Sequence, residues 1–134
     1  MTVLTAAGSF DVTLTPLALD VAGDPTRGRM RLDKVFRGGL DATGAGEMLT
    51  GLGAVTGSAA YVAIERITGT LNGRSGSFTA VHRGVMTRGT PELLVTIVPD
   101  SGTGDLLGIA GTLVLIVGGG KHDYRVEYTL PPAH

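Results

Sequence analysis

The stretch Tyr61 to His82, YVAIERITGTLNGRSGSFTAVH, limits the fold of this chain more than any other. Two runs that alternate apolar with polar residues meet at Asn72-Gly73. A two-residue type I′ turn needs positive φ at both central positions, and Asn-Gly is the pair that accepts this most readily. Such a loop would pair Leu71 with Arg74, Ile67 with Phe78 and Ala63 with His82. A four-residue loop, Asn72 to Ser75, would instead set Glu65 directly against His82. Both loops are even-numbered, so both put Tyr61, Glu65, Ile67, Phe78 and His82 on one face, because strand side chains alternate with a period of two.

The opposite face carries Arg66, Thr68, Thr79 and Arg83, whose guanidinium groups belong in water. The core face therefore holds a carboxylate and an imidazole among apolar neighbours. Charged groups are rarely buried without a partner, so Glu65 and His82 are the first candidates for chemistry.

The rest of the chain has the same alternating character. Ser9 to Thr15 turns Phe10, Val12 and Leu14 to one side and stops at Pro16, and Pro16 to Asp24 reads as a loop. Arg27 to Arg37 forms a second strand with Met30, Leu32, Lys34 and Phe36 inside, which puts a lysine in the core register. Ala45 to Thr50 gives a short third strand, and Gly51 to Gly57 a flexible loop. After the central hairpin, Thr90-Pro91 marks a turn. Glu92 to Val98 and Leu107 to Val117 are apolar on both faces, with a loop from Pro99 to Gly104 between them. His122 to Leu130 turns Tyr124, Val126 and Tyr128 inward. No helical period exceeds two turns. The expected architecture is all-β: one domain over residues 1–134, a closed antiparallel β-barrel of about eight strands. Eight is the number at which a barrel interior is filled or holds one small ligand, and closure removes exposed edges.

Composition narrows the function. A net charge of −1 with 4% aromatic residues offers neither the basic surface nor the stacking platforms of a nucleic-acid-binding protein. No cysteine is present, which excludes disulfides and thiol chemistry. No apolar run approaches the roughly 18 residues of a membrane helix, and the N-terminus lacks a basic, apolar leader pattern, so a cytoplasmic location without membrane contact is expected. Strands apolar on both faces need cover on both, and a homo-oligomer, dimer or trimer, would supply it.

The segments RMRLDKVFRGGL, GEML, YVAIERITGTLNGRSGSF, VPDSGTGDLLGIAGTL and HDYRVEYTL resemble a family of small, mostly bacterial proteins known as a domain of unknown function, over roughly Gly8 to Leu130. The resemblance implies a barrel like those of allene oxide cyclase and dirigent proteins, and self-association. In distant relatives of that fold an apolar barrel guides cyclisation or coupling of a hydrophobic intermediate. The resemblance assigns no catalytic residues.

The residues themselves suggest a lumen containing Lys34, Tyr61, Glu65, His82, Tyr124 and Tyr128, with His122 near a strand end. Burial raises the pKa of a carboxylate toward the range useful for catalysis. Glu65 is therefore the expected general base, with His82 orienting it or returning the proton. Lys34 and the three tyrosines would bind the ligand. This describes a small-molecule-binding barrel, an isomerase, cyclase or lyase acting on a small apolar molecule, with no cofactor. The alternatives are a non-catalytic binding barrel and a structural oligomer in which Lys34, Glu65 and His82 only satisfy one another. A metal site from Glu65, His82 and His122 would lack HxH or HExxH spacing, so none is expected. Gly102-Thr103-Gly104 with Gly108 lacks the βαβ setting of a dinucleotide fingerprint, and Ser75 and Ser101 read as turn serines. His134 is terminal and expected to be disordered.

Overall fold

Asn72 and Gly73 take φ values of 47° and 84°. The central hairpin therefore turns in two residues and pairs Leu71 with Arg74, Ile67 with Phe78 and Ala63 with His82. In the computed structural model, which describes residues 2–132, this hairpin is part of a closed barrel of eight strands. The strands are β1 (Leu4–Pro16), β2 (Arg27–Gly38), β3 (Leu40–Leu52), β4 (Ala59–Leu71), β5 (Arg74–Thr87), β6 (Thr90–Ile97), β7 (Ala110–Gly118) and β8 (Lys121–Thr129). Each runs antiparallel to its chain neighbour, and β1 pairs with β8 to close the ring. His134 lies outside the described residues. No helix among the described residues is long and apolar enough to cross a membrane.

β1 begins at Leu4 rather than Ser9, and three further boundaries differ from expectation for a physical reason. β3 runs over Leu40–Leu52 rather than Ala45 to Thr50. Its inward positions Ala42, Gly44 and Gly46 carry almost no side chain, so the apolar alternation is invisible there, and larger residues of neighbouring strands fill the space. The turn after β5 sits at Arg88-Gly89, with φ of 46° and 89°, and not at Thr90-Pro91. Pro91 lies inside β6 opposite Met86, in the half of the strand that has no partner on its other side, where a missing N–H costs no ladder bond. The third difference lies between β6 and β7. Gly104–Leu106 forms a single 3-10 turn, and β7 begins only at Ala110, leaving Leu107 outside it.

That last segment is a plug. Leu106 and Ile109 are both 1% exposed. The Thr103 amide donates to Ser77 O at 2.8 Å and the Ser77 amide donates to Thr103 Oγ1 at 3.0 Å, which fastens the plug to β5. It covers the barrel end that also contains Leu40, Leu71, Phe36, Ile67 and Phe78, all buried. Phe36 meets Phe10 at 5.9 Å and the edge of Tyr124 at 5.5 Å between ring centroids. Burying each such ring contributes about 1.5–3 kcal/mol, so this end holds most of the apolar core.

The opposite end is looser. β6 and β7 pair only at Val95–Leu113 and Thr96–Thr112, whereas every other adjacent pair is registered over more positions. Before Val95 in β6 and after Leu113 in β7 the two strands are unpaired, and the β5–β6 and β7–β8 hairpins splay apart.

Candidate functional site

Lys34 on β2, Glu65 on β4 and His82 on β5 all point inward, at 6%, 0% and 2% exposure. The register places Glu65 between Gly46 of β3 and Ala80 of β5. These small neighbours leave room for its side chain, and the carboxylate lies so close over Gly44 that a Cβ at 44 would collide with Glu65 Oε2. One oxygen, Oε1, receives both partners: Lys34 Nζ at 3.2 Å and His82 Nε2 at 2.8 Å. Oε2 is buried without a hydrogen-bond partner among the described residues. Lys34 Nζ also stands 5.2 Å and 5.7 Å from the ring centroids of Phe10 and Phe36, which offer their negative faces to its charge.

Above this triad, toward the splayed end, the lumen opens into a cavity of about 300 Å³. Its wall is mainly apolar, and its polar side chains are Lys34, Thr50, Tyr61, His82 and His122. Glu65 does not reach it. The sequence suggests Glu65 as the group facing a ligand with His82 orienting it; in the structure His82 borders the cavity and Glu65 sits behind His82. A carboxylate only accepts hydrogen bonds, so the geometry suits the tautomer of His82 with its proton on Nε2 toward Glu65 and its lone pair on Nδ1.

Tyr61 also lines the cavity, its ring filling the space above Gly84. Burial, and secondarily the charge of Glu65, push its phenol pKa above the usual value, so it stays a donor. Tyr124 and Tyr128 do not join the site. The Tyr124 hydroxyl accepts from the Leu40 amide at 2.8 Å and reaches the carbonyls of Arg37 and Leu40 at 2.8 Å and 3.0 Å. The Tyr128 hydroxyl is 2.7 Å from Asn72 Nδ2. Both rings close the plugged end, and neither lines the cavity.

Of the small residues Ala63, Gly69, Ala80 and Gly84 in the core register of the hairpin, Ala63 lines this cavity; Ala80 faces Glu65, Gly84 gives its space to Tyr61 and Gly69 packs against Ala42. His122, placed from sequence near a strand end, lines the cavity with its ring stacked on Phe10 at 5.2 Å. No group of three His, Asp or Glu among the described residues is arranged to hold a metal ion. Leu93 of β6 and Leu115 and Val117 of β7 flank the splay and line the cavity, so the gap between those strands opens onto it.

The model of a family described as "Protein of unknown function (DUF3224)" matches residues 6–128. A crystal structure of a DUF3224 protein of unknown function from Shewanella oneidensis MR-1 is 44% identical, covers 98% of this chain and 100% of its own, and superimposes with a TM-score of 0.92. No curated protein matches the chain.

Proposed function

The chain belongs to the DUF3224 family, and from its lumen geometry we propose a small-molecule-binding barrel in which His82, held by Glu65, moves a proton on a small apolar ligand. The observation that carries this reading is the 2.8 Å contact from His82 Nε2 to Glu65 Oε1 behind a cavity that His82 itself lines. His82 Nδ1 takes a proton from the ligand, and the carboxylate stabilises the imidazolium that forms. Lys34 Nζ and Tyr61 Oη are donors for negative charge developing on a ligand oxygen. Return of the proton to a different ligand atom completes an isomerisation or a ring closure, with no net change in the protein. A base positioned in this way contributes about 10²–10⁴ in rate. The resemblance to allene oxide cyclase-like and dirigent-like barrels supports a guided cyclisation within the same chemistry.

The second reading is a non-catalytic network, and the mutual satisfaction of Lys34, Glu65 and His82 favours it. Hydrogen–deuterium exchange of cyclic ketones in D₂O, followed by NMR, separates the two. The wild-type protein is expected to accelerate exchange next to the carbonyl, and His82→Gln to lose the acceleration while remaining folded. Equal rates for both folded proteins would leave only the non-catalytic reading.

A further inference from the structure

Resting on that reading, we infer that the lumen takes an apolar organic acid as its anion, with the oxyanion head at Lys34 and the apolar tail directed toward the gap between β6 and β7. The wall of the cavity carries no Asp or Glu. Its titratable groups are Lys34, Tyr61, His82 and His122, and the nearby carboxylate, Glu65, lies behind the wall. Glu65 balances one positive charge, and it is shared between two partners at one oxygen.

The ammonium of Lys34 has three N–H donors, and Glu65 Oε1 is its hydrogen-bond acceptor among the described residues. The Phe10 and Phe36 rings attract its charge, yet they leave the other two donors without an oxygen. A buried cation with unused donors, in a cavity whose wall also carries a phenol that stays protonated, is arranged for an acceptor that brings negative charge. A carboxylate fits this; an alcohol supplies the oxygen without the charge, and an ammonium meets Lys34 with repulsion.

The remaining wall sets the other half of the ligand. Leu93, Leu115 and Val117 run from the cavity to the surface along the splay, and Leu93 and Val117 are 40% and 62% exposed. An apolar tail on this path covers side chains that otherwise face water.

The test is titration calorimetry at neutral pH with octanoate, 1-octanol and octylamine. Octanoate is expected to bind at least about tenfold tighter than octanol, the scale of one charge-assisted hydrogen bond, and octylamine more weakly than either. The double variant Lys34→Met/Glu65→Gln removes both charges together and is expected to bind octanoate no better than octanol. A folded double variant that keeps the preference overturns the inference. Equal wild-type affinity for octanoate and octanol also overturns it, while leaving the binding barrel standing. Binding of none of the three at millimolar concentration removes the proposed function and this inference with it. Should the double variant not fold, NMR contacts between octanoate and wild-type methyl groups decide: contacts to Leu93 and Leu115 support the placement, and contacts to Leu49 and Ile64 on the outer wall refute it.

Discussion

Glu65 and His82 are diagonal neighbours across the β4–β5 hairpin, and they touch because the residues directly opposite each are alanines. Ala80 faces Glu65 and Ala63 faces His82. With no bulk at those positions, the two long side chains lean together until Nε2 and Oε1 are 2.8 Å apart. Diagonal Cβ atoms lie somewhat under 7–8 Å apart in a sheet, which long side chains bridge with ease.

Because Lys34 and His82 share Glu65 Oε1, removing the carboxylate strands a buried cation. Glu65→Ala is expected to lose about 3–5 kcal/mol of stability. Glu65→Gln keeps an acceptor in place and should lose distinctly less. Urea unfolding of the three proteins checks this, and equal costs for Gln and Ala would show that the charge and its hydrogen bonds are not what hold the triad.

Gly44 belongs to the site through its missing side chain. A Cβ there collides with Glu65 Oε2, so Gly44→Ala is expected to cost about 1–3 kcal/mol as an overpacked position. In a Glu65→Ala background the struck oxygen is gone and the added cost should shrink. A double-mutant cycle in urea reads the coupling, and additivity would mean that the glycine serves some other purpose.

Much of the site was legible from side-chain period alone. Alternation placed Lys34, Glu65, His82, Tyr124 and Tyr128 inside, and all are buried. Alternation says nothing about height along the barrel axis, which depends on register between strands distant in sequence. That is why Tyr124 and Tyr128 read as ligand contacts from sequence when their hydroxyls close the plugged end, and why the sequence does not tell whether Glu65 or His82 borders the cavity. The plug is hidden from sequence because Leu107 and Ile109 read as the start of the next strand, which begins only at Ala110. Arg88-Gly89 was passed over because arginine seldom takes positive φ.

Asn72 has two duties. Its φ of 47° is left-handed, and its Nδ2 donates to Thr5 O at 3.0 Å and to the Tyr128 hydroxyl at 2.7 Å. Asn72→Ala loses both and is expected to cost about 1–3 kcal/mol. Asn72→Gly restores backbone freedom without the bonds and should fall between Ala and wild type. A glycine variant no better than alanine would assign the whole effect to the side chain.

Burial raises the pKa of Tyr61 and of Tyr124 above the usual 10.0 of a phenol. A group whose pKa is raised on folding contributes stability that is complete below the unfolded pKa and is lost as pH rises through the folded one. Stability should therefore hold up to about pH 10 and fall above it. Phenolate absorbance should lag behind free tyrosine until the barrel opens. If all three tyrosines ionise together with the free amino acid while circular dichroism stays native, the burial argument is wrong.

The last prediction concerns self-association, expected from sequence through the doubly apolar strands β6 and β7. The outer wall places an apolar surface elsewhere as well: Leu49 of β3 and Val62 and Ile64 of β4 are 53%, 51% and 55% exposed, and with Val81 they line an outer hollow of about 380 Å³. Arg29 and Glu47, of opposite charge, stand at its border. We propose a second copy of the chain as the occupant. A two-fold arrangement sets like apolar residues together at the centre and can bring Arg29 of one copy against Glu47 of the other, so one patch complements itself. Ile64→Glu puts an unpaired charge at the middle of that contact while leaving the lumen untouched. Light scattering at micromolar concentration should show a dimer for the wild type and a monomer for Ile64→Glu. A wild-type monomer rejects self-association outright. A variant that stays oligomeric moves the contact back to the exposed residues of β6 and β7, Leu94 and Ile116.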